Sequence, residues 1–366
     1  MEKIRNKINI SVFSVLYVFL TGIIFVAGFM LLRFPDAAGK GVVSGIELCL
    51  YSLVPSMLPF MFLVTFMFES GIIEKTGNIM PSVTRRIFGL PGVCGPVIFL
   101  SMVGGLPLGA KMADDLFIKG YITEKQGQRM LFYCINPGPS FVIVTVGYYM
   151  LGSVTVGTLL YFSSVISSLI IGVLSQFVWS DAVSVKRFYS VSVEKDLRTA
   201  LVDSVSISVR KMMNVCAWVV LFSCFIQLVE LIPVDENTKH FLYAIAEITN
   251  GCRMNAGKYP LPLIAGIIGF SGLCAHLQIM PSVVRLKLRL KYFMSARILN
   301  AAISVLVFML LSDLFEISVT TVAFGSIPEK SGRELSLPVC IGITAMSILL
   351  LLGDNFRIRK CKEKIQ

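Results

Sequence analysis

The chain has 366 residues, of which 55% are hydrophobic and only 15% charged, with a formal net charge of +11. A soluble domain carries about 25% charged residues, so this composition excludes an ordinary soluble enzyme or a nucleic-acid binder. The basic excess is instead a marker of membrane sidedness, because Lys and Arg accumulate on cytoplasmic loops.

The start, "MEKIRNK", precedes an apolar run of about 25 residues from Ile8. A signal-peptide core runs about 7–15 residues, so the segment predicts a retained first helix over 8–33. Further runs predict spans at 43–68, 129–152, 154–180, 212–233, 261–281, 298–314 and 338–353. Most are near or above the roughly 18 apolar residues that suggest a membrane-spanning helix. Two shorter stretches, 93–110 and 240–257, are interrupted by polar residues and read as re-entrant hairpins. The fold class is an all-α polytopic membrane protein of about eight transmembrane helices plus two hairpins.

With the N-terminus inside, most of the 33 basic residues fall on inside segments, among them Lys3, Arg85, Lys111, Arg129, Lys211, Arg297 and Arg357. Both termini are then cytoplasmic. The order span, hairpin, span, span occurs over 43–180 and again over 212–314. Each unit has an odd number of spans, which predicts an inverted-topology repeat, a ground plan of secondary transporters. The N-terminal helix (1–42), a basic cytoplasmic linker (181–211) and a final loop, helix and basic tail (315–366) lie outside the units.

Polar residues interrupt each unit at matching places. "SMVGGLPLGAK" (101–111) holds Gly104, Gly105, Pro107 and Gly109, which disfavour a continuous helix. It reads as the return arm of the first hairpin, and Gly105, Pro107 and Gly109 are candidate substrate contacts. Lys111 is either a substrate countercharge or an anchor at the hairpin exit, with Asp114 and Asp115 in the loop beyond. Thr123 and Gln126 fit a capping box, placing a helix start near Glu124. That helix runs into "NPGP" at 136–139, where Pro137 and Pro139 each remove a backbone donor. The span is therefore discontinuous, and Asn136 and Gly138 are candidates for ligand contact; Asn136 as a simple helix cap is the alternative.

In the second unit the hairpin reads "AIAEITNGCRMNAGKYP" and the next span "IAGIIGFSGLCAHLQIMPS". Thr249, Asn250, Ser271 and Gln278 are candidate substrate contacts. Glu247 and His276 are ionisable at membrane depth and are candidates for carrying a coupling ion or proton. Glu247 pairing with Arg253, and His276 bonded to a neighbouring helix, are the competing readings, and Gly266, Gly269 and Gly272 serve either close packing or an unwound turn.

Catalysis is not expected. "GGLPLGAK" approaches the phosphate-loop pattern but Ala110 separates Gly109 from Lys111 and Met112 replaces the hydroxyl residue. H-E-x-x-H is absent, there are two histidines, and the nine cysteines include no C-x-x-C. No metal and no cofactor are predicted.

"GLPLGAK", "NPGP", "EITNG" and "GFSGLCAHLQ", in this order and spacing, resemble the YlbJ-like sporulation integral membrane proteins, which carry a nucleoside recognition or Gate domain. The resemblance runs from about Leu53 to Leu311. Where the family pattern has S-G-Y-P, this chain has Gly104-Gly105-Leu106-Pro107. The resemblance implies a sporulation-associated transporter of a small anionic metabolite, first dipicolinic acid, across the outer forespore membrane of a Gram-positive cell. It also implies distant kinship with concentrative nucleoside transporters. A nucleoside or other metabolite transporter and a non-transporting scaffold of spore assembly are the alternatives. The partners expected are the lipid bilayer and an anionic small molecule, with a homo-oligomer an open option.

Overall fold

The computed structural model describes residues 21–22, 24–70, 81–178 and 197–317. Most of the first predicted span, the linker up to residue 196, the last span at 338–353 and the basic tail lie outside the described residues. Within them every regular element is helical. Five helices are long and apolar enough to cross a membrane.

An apolar helix α1 (Ile24–Arg33) leads into α2 (Pro35–Glu69). Pro35 opens α2, where its missing N–H costs nothing. A wide π turn at Cys49–Leu53 precedes Pro55, a proline that cannot donate to the helical ladder. Then come α3 (Pro81–Phe88), α4 (Cys94–Gly104), α5 (Leu106–Ile118), α6 (Glu124–Tyr133), α7 (Ser140–Met150, π-helical) and α8 (Val154–Val178). The second half has α9 (Leu197–Val229), α10 (Glu236–Ala246), α11 (Ile248–Asn255), α12 (Leu261–Phe270), α13 (Gly272–Ile279) and α14 (Leu290–Leu314).

Apart from the short α3, one order occurs twice: a long helix, a helix pair, a broken helix, and a 25-residue helix. Packing follows the same correspondence. The long openers α2 and α9 lie against each other, and so do the closers α8 and α14. Contacts between unlike elements are reciprocal: α5 touches α13 while α11 touches α7, and α2 touches α7 while α9 touches α13. The α2–α9 seam is close because Gly41 and Gly45, one turn apart, carry no side chain there. A Cβ on Gly41 would sit 2.7 Å from the Cys224 Cα, and one on Gly45 2.8 Å from the Val220 Cα.

The capping box is present. Thr123 Oγ1 accepts from the Gln126 N–H at 3.2 Å, and Gln126 Oε1 accepts from the Thr123 N–H at 3.0 Å. Both hairpin tips, Gly105 and Glu247, and both helix breaks fall inside the predicted stretches, while the hairpin helices extend beyond them to Ile118 and back to Glu236. Several helices run past the predicted spans. α2 starts at Pro35 rather than 43, α9 at Leu197 inside the expected linker, and α14 at Leu290 rather than 298. α2 starts early because Pro35 suits a first helical turn. For α9 and α14 the physical reason is that Lys, Arg, Met and Leu are good helix formers, so a helix has no cause to stop where the chain leaves the apolar layer. For the same reason α5 continues through Lys111 to Ile118. Asp114 thus stands in a helix and is buried, its Oδ1 accepting the Leu286 N–H at 3.1 Å.

Arg129 and Arg297, counted above among loop charges, are buried. Each occupies a helix C-terminus, where freed carbonyls accept its protons. Arg129 donates to the carbonyl of Phe88, the last residue of α3, and to Ser175 Oγ. Arg297 donates to the carbonyls of Gly269 and Phe270 at the end of α12 and to Ser271 Oγ at 2.8 Å.

Candidate functional site

Four interruptions of helix meet in the middle of the bundle. The first is the tip between α4 and α5, a single residue, Gly105, at φ 82°, ψ 179°. An L side chain does not reach that backbone region without strain. Leu106 and Pro107 then open α5, a proline suiting the first turn of a helix. No side chain caps α5, so its first N–H groups are left to the tip.

The second interruption is the six-residue gap between α6 and α7. Asn136 holds it from the inside. Its Nδ2 donates to the Tyr133 carbonyl at 2.7 Å, an orphan at the end of α6, and its Oδ1 accepts from Ser168 Oγ at 2.6 Å. Asn136 therefore closes the helix before the break, not the one after it. α7 opens at Pro139 with no side-chain cap. The two uncapped N-termini adjoin: a Cβ on Gly105 would lie 3.5 Å from the Gly138 nitrogen.

The third interruption is Glu247, between α10 and α11. It is extended, buried, and caps α11 with both carboxylate oxygens. Oε1 accepts the Thr249 N–H at 2.8 Å, and Oε2 accepts the Asn250 N–H at 2.7 Å and Asn250 Nδ2 at 2.9 Å. Arg253 donates to Ser44 Oγ at 2.9 Å. The fourth is Ser271, left-handed at φ 74°, with α12 ending before it and α13 starting after it.

Three of these breaks, with α13 beyond the fourth, border a cavity of about 60 Å³. By volume it accepts a few waters. The first tip contributes Gly104, Gly105 and Leu106, and the first broken helix Pro137, Gly138 and Ser140. The second tip adds Glu247, Ile248 and Thr249, and α13 adds Ala275 and Gln278. Apolar residues of α2 and α9 complete the wall. Glu247 is the single ionisable side chain among the lining residues.

Of the predicted site residues, Gly105, Gly138, Glu247, Thr249 and Gln278 line the cavity. Asn136 and Asn250 stand behind it and hold its breaks; Asn250 Nδ2 also donates to Ser223 Oγ at 2.8 Å. Gly109 lies where the Cys134 carbonyl and Ser101 leave no room for a Cβ. Pro107 takes its place in the first turn of α5, and its side chain lies outside the described residues. Lys111 is exposed, two turns along α5 from the tip. Ser271 faces Arg297. His276 is buried between the rings of Phe270 and Phe293, with centroids 5.1 Å from each, and its Nε2 is 3.0 Å from the Phe270 carbonyl.

Sequence reasoning missed the buried seam between α8 and α14. Asn300 Nδ2 donates to the Gly269 carbonyl at 2.9 Å, while its Oδ1 accepts from Ser167 Oγ at 2.8 Å and Ser168 Oγ at 3.2 Å. Ser168 also serves Asn136, so one hydrogen-bond chain joins the two broken helices. The signal for it was present in the spacing: Ser163, Ser164, Ser167 and Ser168 on α8 recur at helical intervals and mark one polar face within an apolar helix.

No family model matches the chain. It is similar to the "Sporulation integral membrane protein YlbJ" of Bacillus subtilis (strain 168), 23% identical over 349 residues that cover 84% of this chain and 83% of that protein. No solved structure matches.

Proposed function

We propose that this chain is a membrane transporter of a small anionic metabolite in a sporulating bacterium, with dipicolinic acid the first candidate and the outer forespore membrane the site of action. The observation that carries the reading is the convergence of both hairpin tips and both broken helices on one cavity. Irregular backbone at membrane depth is tolerated where it lines such a space, and secondary transporters place their sites there. The twice-occurring element order supports two units, each expected to cross three times and so inverted, that move against each other around the cavity.

The anion's carboxylate takes the paired N-termini of α5 and α7. Each carries about half a positive charge and is worth up to about 2 kcal/mol in a partly buried setting. Gln278 and Thr249 offer further hydrogen bonds. A planar dicarboxylate needs more room than about 60 Å³, so loading separates the tips. Glu247 faces the same cavity and is the candidate carrier of a coupling proton. A second reading, a neutral solute such as a nucleoside, draws on the absence of any Lys, Arg or His among the lining residues.

Uptake by purified protein in liposomes, over a panel of dipicolinate, other dicarboxylates and nucleosides, separates the readings. Dipicolinate uptake that Glu247→Gln reduces at least tenfold supports the first. Nucleoside uptake alone replaces it with the second, and no uptake of any member returns the scaffold. Cysteines at Lys119, beyond the first hairpin, and at Glu236, before the second, are expected to label from opposite sides of the membrane. Labelling from the same side removes the inverted arrangement.

A further inference from the structure

Beside the main cavity lies a smaller one of about 10 Å³, lined by Met61, Val64, Thr65, Gly104, Leu108 and Lys211. Met61, Val64 and Gly104 belong to both walls, so only a thin septum separates the two spaces. Helical spacing continues the route outward on three helices. On α9, Val219 and Val215 line the main cavity and Lys211 follows one turn later, about 6 Å along the axis. On α5, Leu106 lines the main cavity, Leu108 the smaller one, and Lys111 is the next exposed position. On α2, Met61 and Val64 give way to Thr65 and then Glu69.

We infer that Lys211, with Lys111, forms a cationic vestibule through which an anionic substrate reaches the main cavity past the Met61–Val64–Gly104 septum. Lys211 is half-buried and its Nζ donates to Thr65 Oγ1 at 3.4 Å. Among the described residues, Lys111 and Glu69 are the charged side chains within its electrostatic reach. Two ammonium groups beside one carboxylate leave a net positive mouth, and a low-dielectric wall strengthens its field. The septum is thin because Gly104 has no side chain; a Cβ there would press on Leu108 and lie 3.0 Å from Val64 Cγ1. This assignment rests on the anionic-substrate reading. It changes the part weighed for Lys111, from a countercharge on the bound substrate to a group at the entrance: the cavity binds through helix N-termini, and the lysines select charge on the way in.

Two measurements test it separately. In liposome uptake of dipicolinate, Lys211→Gln is expected to raise KM about tenfold with Vmax falling less than twofold, and Lys211→Arg to restore KM. Independently of transport, a cysteine at Met61 is expected to react faster with an anionic than with a cationic methanethiosulfonate. Adding Lys211→Gln should cut that preference at least fivefold. A preference that changes less than twofold overturns the vestibule, whatever the uptake assay shows. Wild-type protein that moves no anion, yet keeps the lysine-dependent preference, overturns the proposed function and leaves the vestibule standing. If Lys211→Gln fails to reach the membrane, Lys111→Gln on a separate helix carries the same measurement, and an unchanged preference there is equally fatal.

Discussion

At the first hairpin tip the chain turns on Gly105, which offers no side chain and leaves the N-terminus of α5 bare. At the second it turns on Glu247, whose carboxylate occupies the N-terminus of α11 with three hydrogen bonds. The tips stand at corresponding places and face the same cavity. One presents partial positive charge to it, the other a carboxylate already at home on a helix end. Of the two tips, only the first leaves its half-helix open to an anion. The two units thus share a backbone plan and differ in the chemistry they show the ligand.

The sharpest way to break the contrast is to empty the second tip. Glu247→Ala removes the acceptor of two buried backbone N–H groups and loosens Asn250. Each unsatisfied buried donor costs about 1–3 kcal/mol, so the expected loss is about 3–5 kcal/mol, read as a lowered thermal midpoint in detergent. Glu247→Gln keeps one acceptor oxygen and is expected to lose about 1–2 kcal/mol. A midpoint unchanged in Glu247→Ala means that the cap is not what orders this tip.

The converse change fills the first tip. A Cβ on Gly105 meets nothing closer than 3.5 Å, so Gly105→Ala costs only backbone strain. At φ 82°, ψ 179° that strain is about 1–3 kcal/mol. Gly105→Asn is expected to lose as much, since Asn tolerates the left-handed helical region but not this extended one. An Asn variant as stable as wild type shows that the tip relaxes to another conformation.

How much of this could be read from the sequence differs along the same line. Both turns were placed inside the right stretches, because glycine, proline and a lone glutamate interrupt apolar runs visibly. The capping box at Thr123 and the "NPGP" gap were legible for the same local reason. The burial of Arg129 and Arg297 was not. Charge counting assigns an arginine to water, and only the fold reveals that each meets a helix end whose carbonyls need protons. Lys111 was placed correctly along the chain but its distance from the tip depends on how far α5 continues. That is decided by the helix-forming residues that follow Gly109 and not by the bilayer edge.

The second hairpin carries its own internal control, because an aspartate caps its outer helix as Glu247 caps its inner one. Asp235 Oδ2 accepts the Thr238 N–H at 2.9 Å and Oδ1 accepts Thr238 Oγ1 at 2.6 Å. Asp235 lies in the exposed turn before α10, outside the apolar segments. The Thr238 hydroxyl and N–H hold its carboxyl below the usual aspartate range. A depressed folded pKa means stabilisation that is full above the unfolded value of about 3.9 and lost as pH falls through the lower folded value. Asp235→Asn keeps an oxygen for the cap but cannot titrate. Relative to it, the wild-type midpoint should lead slightly at pH 7, and the lead should shrink as the pH falls below the unfolded value. This is the smallest of the expected effects, because the group is fully in water and screened. Its size against that of Glu247→Gln, the matching amide change at the other end of the hairpin, measures what burial adds to the same cap. A lead that does not shrink as the pH falls below the unfolded value means that the ionised carboxylate is not what holds α10.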